Sequence, residues 1–117
     1  GLDSQQNGLT QINDYLRQHN LTDLSALHIF SHGSSGAVQI GNLTLNTDNL
    51  SDYQTTLTQI GNALNENGDI LLYGCDVGAG EAGETLVRQL AAIVQMRGQH
   101  LELKRDQRLD QREDVVR

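Results

Sequence analysis

The sequence predicts an α/β fold: a three-layer sandwich around a mostly parallel sheet, truncated at both ends. Three observations carry that expectation. Ala26-Leu27-His28-Ile29-Phe30 and Asp69-Ile70-Leu71-Leu72-Tyr73 are short, nearly continuous apolar runs. Such runs read as strands buried on both faces, the mark of a parallel sheet. Segments with helical periodicity stand before, between and after them. The resulting order of helix, strand, hairpin, helix, strand, helix fits parallel strands joined by right-handed crossovers.

In chain order, Leu9, Ile12 and Leu16 fall on one face of a helix, with Tyr15 beside them. Asn7-Gly8 opens that helix and His19-Asn20 closes it. After the first strand, Ser31 to Gly36 reads as a loop. Ala37–Ile40 and Leu43–Leu45 read as a small hairpin about a Gly41-Asn42 turn. Leu50, Tyr53, Leu57, Ile60 and Leu64 step by three and four residues. A second helix is therefore predicted from about Leu50 to Leu64, stopped by Asn67-Gly68. Gly74 to Gly80 reads as a second loop. A third helix starts near Glu81, with Leu86, Leu90 and Ile93 inward. Glu81 and Glu84 sit where its N-terminal dipole favours acids. Two central strands are few for a stable sheet. The chain begins with Gly1, so further strands are expected before it or after residue 94.

With 117 residues the chain is enough for one domain and one modest core. The large aromatics are Phe30, Tyr15, Tyr53 and Tyr73, so that core must be aliphatic. Fifteen acids against eight bases give a net charge of −7, which disfavours nucleic acid as a partner. No run approaches the ~20 apolar residues of a membrane span. Cys75 is the one cysteine, which excludes an internal disulfide and any multi-cysteine metal site. No cofactor or metal is implied. Residues 1–94 read as the domain. Residues 95–117 are polar and charged and read as a helical or disordered tail.

Ligands and catalysts in open parallel sheets gather at the carboxyl ends of the strands. His32 and Cys75 both occupy that position, two residues past Phe30 and two past Tyr73. Each has a glycine neighbour, Gly33 and Gly74. Adjacent strands would bring both side chains to one edge of the sheet. A thiol needs a base to become a nucleophile, and imidazole titrates in a suitable range. The amides of Gly33 and Cys75 are candidate donors to an oxyanion.

A hydrophobic strand ending in Ser-His-Gly, followed by one ending in Gly-Cys, resembles the caspase–gingipain clan of cysteine peptidases. The histidine precedes the cysteine by 43 residues here, against about 50 in caspases, in the same order. More closely, Ala26 to Gly36 and Ile70 to Gly78 resemble a bacterial family called domain of unknown function 4347. The resemblance covers roughly Gly1 to Ala92. It implies a caspase-like fold, with a strand before Gly1 and a further strand after Ala92. It also implies a cysteine endopeptidase-like domain with Cys75 as nucleophile and His32 as acid and base. Its partner would be a peptide, or a flanking segment of a large secreted or surface parent protein cut in self-processing. The alternative is a non-catalytic module of such a protein.

Other features read as structural. His28 stands ~13 Å along the strand from His32, too far to share a metal. His19 and His100 read as surface residues. Gly78-Ala79-Gly80-Glu81-Ala82-Gly83 matches the dinucleotide pattern G-x-G-x-x-G. Four residues separate it from Tyr73, and Asp76, Glu81 and Glu84 would crowd a pyrophosphate. Close packing of a helix on the sheet is the better account. Ser34 and Ser35 precede a hairpin rather than a helix, unlike a nucleophile elbow, and read as loop or substrate-contact residues. The sequence leaves the direction of Asp76 open.

Overall fold

A computed structural model describes residues 2–3, 5–74, 76–95, 98–104 and 115–116 of the chain. Helix α1 spans Gly8–Gln18 and is opened by Asn7, whose side chain accepts from the Thr10 amide at 3.1 Å. The Asn7 side-chain nitrogen also donates to the Tyr53 hydroxyl at 3.1 Å. Asn7→Ala removes both bonds. We expect it to cost about 1–2 kcal/mol, read as a lowered midpoint in thermal unfolding.

Strand β1 (Leu24–Phe30) leads into a three-stranded antiparallel meander, β2 (His32–Ser34), β3 (Ala37–Ile40) and β4 (Leu43–Leu45). A short 3₁₀ turn at Leu50–Tyr53 precedes helix α2 (Gln54–Asn62). Strand β5 (Leu64–Tyr73), helix α3 (Gly80–Val94), strand β6 (His100–Lys104) and the two-residue β7 (Val115–Val116) complete the order. The main sheet has the order β6-β5-β1-β7, and each of its pairings is parallel.

Side chains alternate across this sheet. Ile29, Ile70, Leu72 and Leu101 face one apolar cluster, to which all three helices contribute through Leu9, Ile60 and Leu90, and the meander through Val38, Ile40 and Leu45. Both crossovers, β1 to β5 and β5 to β6, step in the same direction across the sheet. Right-handed crossovers then put their helices on the same face, and α1 packs beside α2. Of the three layers expected from the sequence, the described residues show the sheet and one helical layer. Among the described residues the helices cover one face of the sheet. The other face carries His28, Phe30, Leu71 and Tyr73, with the Phe30 and Tyr73 rings stacked at 4.3 Å.

Four further expectations change. Helix α2 ends at Asn62 rather than Leu64, because the Ala63 carbonyl accepts the Leu24 amide at 3.0 Å and draws the chain into the sheet. Asn65 to Gly68 thus belong to β5, across an irregularity in its pairing with β1, instead of stopping a helix. The segment Ser31–Gly36 is partly strand β2, not wholly loop. In the stretch read as a helical or disordered tail, His100–Lys104 is a parallel strand beside β5, from Asp69↔His100 to Tyr73↔Lys104. It stands where the family resemblance implies a further strand. Val115–Val116 pairs with β1. The charged run 105–114 lies outside the described residues. Among the described residues no helix is long and apolar enough to cross a membrane.

Candidate functional site at the carboxyl edge of the sheet

β1 and β5 are neighbours, and their last residues, Phe30 and Tyr73, are paired in register. Both chains therefore leave the sheet at the same level. On the β1 side, Ser31 is buried, and its amide donates to the Tyr73 carbonyl at 2.8 Å. Its hydroxyl donates to the same oxygen at 3.0 Å. His32 follows at once and is exposed on β2, opposite Gln39 of β3. Ser34 and Ala37 flank the two-residue turn of this hairpin, so they form a hydrogen-bonded pair. Alternation makes Gly33↔Val38 the non-bonded pair and turns the Gly33 amide away from β3.

On the β5 side, the Gly74 amide donates to the Lys104 carbonyl at 3.1 Å. Asp76 is exposed, with a left-handed backbone (φ 58°). It starts a turn in which the Ala79 amide donates to its carbonyl at 3.1 Å. Val77 anchors that turn in the core. Two bonds then tie the tip of the histidine hairpin to the turn. The Gly36 amide donates to the Val77 carbonyl at 3.0 Å, and the Ser35 hydroxyl donates to the Ala79 carbonyl. The hairpin is held at its base by Ser31 and at its tip by Ser35 and Gly36. Ser35 is therefore a structural link. Cys75, including its amide, lies outside the described residues.

The remaining histidines have ordinary surroundings. His28 is buried, with Nδ1 at 2.9 Å from the Tyr73 hydroxyl. The His19 ring lies tilted against exposed Tyr15, with centroids 4.2 Å apart. Exposed His100 stands 3.3 Å from Asp69, its partner across β5 and β6. Among the described residues no three His, Cys, Asp or Glu side chains gather as metal ligands. The glycine pattern at 78–83 is a packing device, since Gly83 of α3 lies against the Val77-Gly78 backbone. Sequence reasoning missed the two hydrogen bonds from Ser31 to the Tyr73 carbonyl. A serine ahead of a histidine in a loop carries no periodic signal.

These features define a class: a compact α/β domain with a parallel sheet and a histidine-bearing hairpin fixed at its carboxyl edge. Residues 1–98 match the family described as Domain of unknown function (DUF4347), and the chain belongs to that family. Neither the curated proteins nor the solved structures give a match.

Proposed function

We propose that the domain is a caspase-like cysteine endopeptidase working through a His32–Cys75 dyad. The single observation that supports this reading is the Phe30↔Tyr73 register between adjacent parallel strands. It starts the His32 arm and the Cys75 arm side by side at the edge where α/β sheets hold their ligands. The Ser31 bonds to the Tyr73 carbonyl keep the two arms together as they leave the sheet.

In the reaction, His32 takes the thiol proton and the Cys75 sulfur attacks a peptide carbonyl carbon. Negative charge collects on the carbonyl oxygen, where the Gly33 and Cys75 amides donate to it. The C–N bond breaks, and His32 passes its proton to the departing amine. Water then hydrolyses the thioester and restores the thiol. The substrate is a peptide, and a flanking segment of a secreted or surface parent protein is the nearest one. That last assignment rests on the resemblance.

The test uses the single cysteine of the chain. The rate of Cys75 alkylation by iodoacetamide is followed against pH in the whole protein and in His32→Ala. A thiol paired with an imidazole should react with a midpoint well below the ordinary value of about 8.5, and His32→Ala should return it there. Superimposable profiles would leave the domain as a non-catalytic module.

A further inference from the structure

We propose that Ser31 is a positioning residue for the His32–Cys75 pair, an inference that rests on the reading above. The main sheet splits beyond Phe30 and Tyr73. One arm turns into the hairpin that carries His32, and the other passes through Gly74 toward Cys75. Ser31 bridges this split with two donors on one acceptor. Its amide reaches the Tyr73 carbonyl at 2.8 Å, as a parallel ladder requires, and its hydroxyl reaches the same oxygen at 3.0 Å. The hydroxyl bond is an addition to the ladder, using the second lone pair of the carbonyl.

The other arm is shaped to the same hydroxyl. A Cβ at Gly74 would stand 2.9 Å from Ser31 Oγ and 3.1 Å from Val77 Cγ2. Gly74 thus leaves the space that Ser31 fills, one residue before Cys75. The Ser31 side chain is flanked in sequence by His32, and its acceptor lies two residues before the thiol. A change in its length or bonding alters the separation of the two arms. Attack geometries are sensitive to such shifts, since a misplacement of ~1 Å costs about 100-fold in rate.

A merely structural hydroxyl would behave differently. Its loss would cost about 1 kcal/mol of stability and leave the thiol chemistry alone. The experiment is the alkylation profile of Cys75 in the whole chain for wild type, His32→Ala, Ser31→Ala and Ser31→Thr. Thermal unfolding of each variant is followed in parallel. Ser31→Ala should stay folded, with its reactivity at pH 6.5 down about tenfold, one pH unit of midpoint. Ser31→Thr, which keeps the hydroxyl, should stay near wild type. Gly74→Ala crowds the same hydroxyl from the other arm and should raise the midpoint in the same direction. It provides the reading if Ser31→Ala does not fold. A wild-type midpoint well below 8.5, sensitive to His32→Ala but unmoved in Ser31→Ala, would overturn the role of Ser31 and leave the dyad standing. A wild-type midpoint near 8.5 that ignores His32→Ala would overturn both.

Discussion

Gly83→Ala should lower the unfolding midpoint by about 10 °C and disturb the carboxyl edge of the sheet. Alanine in place of glycine inside a helix ordinarily stabilises by up to about 1 kcal/mol. Here the added Cβ would stand 2.4 Å from the Gly78 carbonyl carbon and 2.6 Å from the Val77 oxygen. Both are backbone atoms and cannot rotate away. Either α3 lifts from the sheet or the turn at 76–79 moves. That turn holds the tip of the His32 hairpin through Gly36 and Ser35. Overpacking costs about 1–3 kcal/mol, and rigid backbone contacts put this site at the upper end. Circular dichroism melts give the stability, and the pH profile of Cys75 alkylation reports the edge. Unchanged or raised stability would show that α3 and the turn separate freely.

Part of the fold is legible in the sequence. Ala26–Phe30 and Ile70–Tyr73 announce themselves because a central parallel strand is apolar on both faces. Leu9, Ile12 and Leu16 mark α1 because one helical stripe meets the core. Gly78, Gly80 and Gly83 are legible as packing residues once the acids around them weigh against a phosphate. Strand β6 is harder to see. His100-Leu101-Glu102-Leu103-Lys104 alternates as a half-exposed strand does, but it runs into the charged stretch that follows and takes on its polar character. Strand β2 has no apolar pattern, and its ladder exists because β3 lies opposite. The number of layers depends on strand order, which periodicity does not encode.

The candidate site divides in the same way. The placement of His32 and Gly33 just past β1 is predictable, because the apolar run Ala26–Phe30 marks where that strand ends. The fixing of their hairpin is not, because it rests on main-chain carbonyls of Tyr73, Val77 and Ala79. Carbonyl acceptors are the same in every residue and leave no mark in a sequence. The left-handed backbone of Asp76 is similarly hidden.

Gly41→Ala and Gly41→Asn should both release the N-terminal segment, and by similar amounts. Gly41 has φ +62°, a conformation that asparagine tolerates, as Asn20 does at 51°. If backbone conformation were the whole requirement, Gly41→Asn would be nearly neutral. A Cβ at this position, however, would stand 2.1 Å from the Gln6 oxygen and 2.8 Å from the Gly8 nitrogen. Those atoms belong to the segment that closes over the β3–β4 turn. Asn7 bridges to Gly41, the Asn42 amide donates to the Gln6 carbonyl at 2.8 Å, and the Asn42 side chain donates to the Gln5 carbonyl at 2.9 Å. Any side chain at position 41 pushes this segment off and takes the start of α1 with it, since Gly8 rests on Ile40. Strain and overpacking together set the loss at about 3 kcal/mol for alanine. Asparagine recovers only the conformational part, at most about 1 kcal/mol. Denaturant unfolding gives the two losses, and faster hydrogen exchange of the Asn42 amide locates them. An asparagine variant with wild-type stability and a protected Asn42 amide would refute the steric account, because the segment would then have room that the packing of Gln6 and Gly8 denies it.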